Sequence, residues 1–188
     1  MKPIIVIEHL EPKLWPWCKI EYASISKLVQ KSNLWFTNIK SDLFLKGLGK
    51  CYKKSVRDLN LENVCVLDPD ARNSLTPAAA KKFNYFIIGG ILGDYPPRNR
   101  TKNELTKFIL GAETRNLGRG QLSTDNAVFV LKKILDGFYL SNLKFQDGAV
   151  IKINKVESIE LPYYYPLING KPRMSKKLVD YLKKKRTF

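Results

Sequence analysis

Histidine occurs once in this chain, as His9, which excludes a histidine-rich metal centre. Cysteine occurs three times, at Cys18, Cys51 and Cys65. Their odd number and the lack of any C-x-x-C spacing argue against a zinc site and against a disulfide framework. Free thiols in a reducing compartment are the expectation. No apolar run approaches the roughly 18 residues that a membrane-spanning helix needs, and Met1–Lys2–Pro3 leads into a strand-like segment rather than a signal peptide. The expectation is a soluble, cytoplasmic protein with no membrane partner and no metal. Acidic residues are also scarce: 17 Asp and Glu stand against 33 Lys and Arg, a formal charge of +16.

Such an excess favours anionic partners, namely RNA, DNA or ribosomal surfaces. A lysine-rich surface tuned for solubility or heat is the alternative. The charge is uneven, because Lys171–Phe188 holds eight basic residues and one acid, or +7 of the +16. With 188 residues, 44% of them hydrophobic, the chain is long and apolar enough to build one well-packed domain.

Short continuous apolar runs, as in strands buried on both faces, occur at Pro3–Glu8, Val64–Asp68 and Asn84–Gly90. Asn33–Ile39 reads as another strand, and residues 149–154 as a last one. Tyr22, Ile25, Leu28 and Val29 recur at helical spacing. Residues 41–55 read as a helix with a weak, glycine-containing middle, and Leu105, Phe108 and Ile109 suggest a further helix. Thr76–Phe83 reads as a short helix with proline in its first turn. Ser123 or Thr124 caps a helix running to about Gly137, and a tail helix starts near Ser175 with Leu178, Tyr181 and Leu182 inward. This alternation predicts an α/β fold with a mostly parallel sheet flanked by helices, whose ligands bind at the carboxyl ends of the strands.

Three turns fall there: Leu67–Arg72, Gly89–Arg100 and Leu117–Asp125. The second belongs to FNYFIIGGILGDYPPRNRT (Phe83–Thr101). Its glycines are spaced GGxxG, not GxGxxG, and no GK[ST] follows. Pro96 and Pro97 remove donors and prevent a helix from beginning at once, so the loop does not read as a phosphate cradle. It reads as stiff backbone open to direct contact with a ligand such as a nucleoside. LGRGQLSTD (Leu117–Asp125) is a second glycine loop of the same kind. Two ordinary turns are the alternative.

VCVLDPDA, FNYFIIGGILGDYPPRNRTKNEL and NLGRGQLSTDNAV resemble the three cofactor loops of SPOUT methyltransferases. With IIVIEHLEPKLWPWCKIEYASI at the amino end, they are most similar to the SPOUT-fold protein-arginine methyltransferase branch. The resemblance spans roughly residues 3–165. It implies one SPOUT-like domain over 1–165 with a deep trefoil knot at about 64–137, and leaves 166–188 as a basic extension. It also implies S-adenosylmethionine as cofactor and S-adenosylhomocysteine as product. Carried over by position, Leu67 and Asp68 fall in the first cofactor loop, and Gly89, Gly90, Leu92, Gly93 and Asp94 in the second. Leu117, Gly118, Gln121, Leu122, Ser123, Thr124 and Ala127 fall in the third. Plain core packing is the alternative for Leu67, Leu92, Leu117 and Leu122.

A guanidinium acceptor must lose a proton as it is methylated, and carboxylates both orient its planar fork and receive the proton. Glu8, at the end of the first strand, and then Asp94 are the expected catalytic groups, with strand-end ion pairing the alternative. His9 is a candidate base or substrate contact, although a structural role suits a lone histidine at a strand end. Pro96, Pro97, Arg98 and Arg100 are expected at the acceptor, the arginines gripping acidic or phosphate groups. Tyr163 and Tyr164, with Tyr165 beside them, either line a substrate cleft or pin the tail to the core. The expected acceptor is arginine in a ribosomal or RNA-associated protein. An rRNA or tRNA acceptor is the alternative, and a non-catalytic RNA-binding domain a third reading. A monomer is expected.

Overall fold

The computed structural model describes residues 2–40, 42–118, 120–154 and 156–184. Among these, β1 (Ile4–His9), β2 (Leu34–Thr37), β3 (Lys50–Cys51), β4 (Val64–Leu67), β5 (Tyr85–Gly90) and β6 (Glu113–Arg115) form one parallel sheet. Its order is β3-β2-β1-β5-β4-β6. The central strands are apolar up to their carboxyl ends because both faces are covered. Ile5, Ile7, Phe36, Phe86 and Ile88 face α1 (Pro16–Ile25) and, after α2 (Leu43–Leu48) and α3 (Pro77–Ala80), the long α4 (Thr124–Leu135). Val6, Val66 and Ile87, which alternate with them, face Val56 and Leu105 on the other side. Pro16 and Pro77 open their helices, where a missing N–H costs nothing.

β7 (Phe145–Lys152), β8 (Ser158–Ile168) and β9 (Lys171–Pro172) form a separate antiparallel sheet. α5 (Lys176–Lys184) lays Leu178 and Leu182 on this sheet, against Ala149, Ile151, Leu161 and Tyr165. β8 crosses residue 165 without a break.

Three sequence expectations need correction. The helix over 41–55 is only the six residues of α2, because at Gly49 the chain passes so close to the Leu34 carbonyl oxygen that a Cβ would collide with it. The chain then enters the edge strand β3. Around Leu105 there is a π-helical turn, Thr101–Leu105, and a 3-10 turn, Thr106–Phe108, rather than an α-helix. Residues 149–154 are a strand, as expected, only as far as Lys152, and that strand pairs antiparallel with β8 rather than joining the parallel sheet.

Two chain segments far apart in sequence are laced together beside the parallel sheet. Asp68 N–H donates to Arg115 O (3.0 Å), Asn116 N–H to Asn73 O (2.9 Å) and Leu75 N–H to Asn116 O (2.9 Å). The Asn116 side chain adds a 2.8 Å bond to Ala71 O. The loop after β4 and the segment after β6 thus run in contact.

Candidate functional site

The carboxyl ends of β4 and β5 open into a cavity of about 210 Å³. Its walls come from three stretches: Leu67–Asp70, Ile88–Thr101 and Leu117–Ala127. Of the residues expected to hold a cofactor, Leu67, Asp68, Gly89, Gly93, Leu117, Gly118, Gln121, Leu122, Thr124 and Ala127 line it. Gly90, Leu92 and Ser123 do not. Gly90 is a packing position, because a Cβ there would meet the Tyr22 hydroxyl and Ile7. Leu92 packs on the core, and its N–H donates to Glu11 Oε1 at 2.9 Å. Ser123 precedes α4 and turns its hydroxyl to Asp125 Oδ1 at 2.9 Å.

The loops hold one another in place. Gln121 Nε2 donates to Asp94 O at 3.2 Å, joining the second stretch to the third. Asp68 is almost wholly buried, its carboxylate accepting from Asp70 N–H (2.9 Å) and from the Thr106 hydroxyl (2.5 Å). At Gly118, with φ of +105°, the chain turns through backbone space that side chains disfavour. Its N–H is held by Asn116 Oδ1 at 3.1 Å.

The second stretch carries two arginines in opposite situations. Arg100 is locked: it donates to Glu11 Oε1 (2.8 Å), to both oxygens of Glu104 (2.7 and 3.1 Å) and to Leu92 O (3.3 Å). These bonds raise its pKa above the ordinary arginine value, Glu104 contributing most. Arg98 lines the cavity, exposed and with no hydrogen-bond or ion-pair partner among the described residues. Asp94 also lines the cavity, and its carboxylate likewise has no such partner among them. Pro97 lines the cavity, while Pro96 is exposed beside it.

Glu8 is elsewhere. Its carboxylate accepts from the Thr37 hydroxyl (2.5 Å), the Ser55 hydroxyl (2.6 Å) and Val56 N–H (3.0 Å), and only 1% of the residue is exposed. It therefore ties β1 to β2 and to the turn after β3, and does not line the cavity. His9 is also buried, with Nδ1 2.8 Å from the Tyr22 hydroxyl. Burial lowers its pKa and keeps it neutral. Its Nε2 is the only buried side-chain polar atom without a partner among the described residues.

Tyr163 and Tyr164 stand behind the glycine loops instead of lining the cavity. Tyr163 donates its hydroxyl to Gly93 O at 3.2 Å, and a Cβ on Gly93 would come within 2.7 Å of its ring. Tyr164 N–H donates to Gln121 O at 2.8 Å, and its ring occupies the place of a Gly120 Cβ. Tyr165 points to the core with Leu178 and Leu182.

Glu11, Ile91, Asn116 and Gly120 shape the site without having been expected there from sequence. Glu11 carried a signal, being an acid two residues beyond a strand end on the ligand-binding edge. Gly120 lies within the second glycine loop. Among the described residues, no three His, Cys, Asp or Glu side chains are grouped to hold a metal ion, and no helix is long and apolar enough to cross a membrane.

Comparison with known proteins bears directly on this geometry. Residues 4–187 match the family model described as protein arginine N-methyltransferase SFM1-like. Protein arginine N-methyltransferase SFM1 of Saccharomyces cerevisiae is 34% identical over 203 residues, covering 95% of this chain and 93% of the relative. The crystal structure of the yeast arginine methyltransferase SFM1 complexed with SAM superposes with a TM-score of 0.90, at 34% identity, covering 98% of this chain and 91% of that one. The dual specific Trm10 from Thermococcus kodakaraensis shares the fold alone, at 17% identity and a TM-score of 0.60 over 75% of this chain and 96% of that one.

Proposed function

The chain belongs to the SFM1-like protein arginine N-methyltransferase family, and from that premise we propose that its cavity holds S-adenosylmethionine beside an arginine of a ribosomal or RNA-associated protein. As in its yeast relative complexed with SAM, the enzyme class is that of S-adenosylmethionine-dependent arginine methyltransferases with a SPOUT-like fold. The walls suit the cofactor chemically. Leu67, Leu117, Leu122 and Ala127 offer an apolar enclosure for an adenine ring, and the main chain of the glycine loops, beyond the Gly118 N–H and Gly93 O already engaged, offers donors and acceptors for its edge. The trefoil knot over about 64–137 belongs to the same proposal, and the lacing of 68–75 to 115–116 supports it.

When bound, the cofactor supplies an activated methyl group on a sulfonium. The chain supplies placement, the main lever in an in-line transfer. Asp94 orients the acceptor guanidinium and takes the proton that the methylated nitrogen releases. Its unpartnered carboxylate on the cavity wall is the observation that carries this assignment. Glu8 is not assigned that work, because its oxygens already serve three internal donors. Arg98 receives an acidic or phosphate group beside the target, whereas Arg100 fixes the loop that presents both.

The charge of +16 favours a second reading in which RNA itself is methylated. Incubation of ribosomes with tritium-labelled cofactor, followed by separation of protein from RNA, distinguishes the two. Label is expected on arginine in the protein fraction, and label confined to RNA would end the arginine reading. Within this proposal the protein acts as a cytoplasmic monomer, which gel filtration with light scattering at low and high salt tests.

A further inference from the structure

Glu21 is the acid that the proposed chemistry leaves unused. It shares the buried side of α1 with Cys18, Tyr22 and Ile25, a row in which packing alone gives no reason for a carboxylate. Only 4% of it is exposed. It accepts a 2.8 Å hydrogen bond from Trp17 Nε1, and the backbone N–H and hydroxyl of Thr124 lie on its other side. Thr124 opens α4 and lines the cavity.

α4 lacks a local cap. Ser123, just before it, accepts no side-chain bond from the N–H groups of the helix. The free N–H groups of a first helical turn need acceptors, and a carboxylate there is also favoured by the helix dipole. Glu21 therefore brings a buried carboxylate from α1 to the amino end of α4, beside the third stretch of the cavity wall.

The charges around Glu21 do not balance. Asp125, 5% exposed, faces it from α4. The cation in contact is Arg173, whose guanidinium reaches Asp125 Oδ2 (2.9 Å), Asn126 Oδ1 (2.7 Å) and Ser24 Oγ (3.1 Å). Tyr163 and Tyr165 face the cluster from β8, and Cys18 and Tyr22 adjoin it on α1. All four stay neutral, since burial raises each pKa. Arg173 thus pairs with Asp125, and among the described residues no cation pairs with Glu21. Burial first, and then repulsion from Asp125, push the Glu21 carboxyl up to about 8.

We propose that Glu21 is a positioning residue for the cofactor wall, acting through Thr124, and that a cationic group entering the cavity supplies its missing counter-charge. The inference rests on the cavity being the S-adenosylmethionine site. A cation arriving near Thr124 favours ionised Glu21, which gives its proton to solvent and draws the α4 amino end inward. The sulfonium and the acceptor guanidinium both have this chemistry, whereas the neutral sulfur of S-adenosylhomocysteine does not.

Calorimetric titration of the full chain with S-adenosylmethionine and S-adenosylhomocysteine, from about pH 6.5 to about pH 9.5, tests this. If the cation is the sulfonium, the affinity ratio between the two climbs by up to about tenfold per pH unit below about pH 8, then levels. In Glu21→Gln the ratio is flat. If the cation is the guanidinium, the ratio is flat in the wild type too, and Glu21→Gln instead raises KM for an arginine peptide severalfold, more at high pH than at low. Should Glu21→Gln fail to fold, Asp125→Asn removes the like charge and shifts the wild-type rise to lower pH. A flat ratio together with a pH-independent peptide KM overturns the inference. Absence of any S-adenosylmethionine binding overturns the reading of the cavity, and this inference with it.

Discussion

Glu8 and Gly89 are register partners on neighbouring strands, at the same level of the same sheet edge. On the β1 side the edge is closed: a carboxylate with three donors fills the space between β1, β2 and the turn at Ser55–Val56. On the β5 side glycine begins a loop that leaves a cavity. The carboxyl edge of a parallel sheet is a general place for ligands, but here Glu8 and its donors fill the β1 half and only the β5 half is open to one. The acid with the more obvious catalytic position therefore works as a strut, and the less conspicuous Asp94 faces the hollow.

The largest effect is expected from Glu8→Ala, which leaves the Ser55 hydroxyl and Val56 N–H buried without an acceptor and the Thr37 hydroxyl with only its 3.4 Å contact to Ile7 O. It should cost about 3 kcal/mol or more, lowering the melting temperature by roughly 6–12 °C. Cofactor affinity of the folded variant should be unchanged. Abolished methyl transfer with an unaltered melting temperature would reverse the contrast between the two halves. Next comes pH. Because the folded-state pKa of Glu21 is raised from its ordinary 4.5 to about 8, the native state holds that proton more tightly than the unfolded chain. Its contribution to stability is therefore present at low pH, declines as pH rises from about 4.5 to about 8, and is level above. Urea midpoints should show this decline in the wild type and a weaker one in Glu21→Gln.

Gly120→Ala probes the open half directly. The new Cβ overlaps the Tyr164 ring, so cofactor affinity should fall about tenfold or more, equivalent to about 1.4 kcal/mol by calorimetry. Gly47→Ala is the contrasting change, in α2 with no atom within 4 Å of the added methyl. It should raise stability by about 0.5–1 kcal/mol and leave affinity untouched. A loss of affinity there would show that the cavity tolerates no change anywhere, and that the open half is not special.

The strands β1, β4 and β5 and the helix α4 were legible in the sequence because they are buried in simple patterns: continuous apolar runs for the strands, a helical period for α4. The three turns at the strand ends were legible because glycine and proline restrict what those turns can be. β8 was hidden. Proline is uncommon inside strands, yet β8 accommodates two, Pro162 opposite the bulge at Gly148 and Pro166 in register with Phe145. The role of Glu8 was illegible for a different reason. Its partners Thr37 and Ser55 lie 29 and 47 residues away, and nothing local says which neighbour a strand-end carboxylate will meet. Glu21 was legible in principle, as an acid on an apolar helix face.

Side chains on a strand alternate between faces, so Tyr163 and Tyr165 leave β8 on one side and Tyr164 on the other. Successive residues thus serve as separate props, one beneath each glycine turn and the third as an anchor in the carboxyl-terminal core. Inserting a single residue between Pro162 and Tyr163 would rotate all three at once, sending the anchor ring outward and leaving both turns without backing. The spacing of this tyrosine triplet is therefore a length specification for the cavity, written in residues that do not line it.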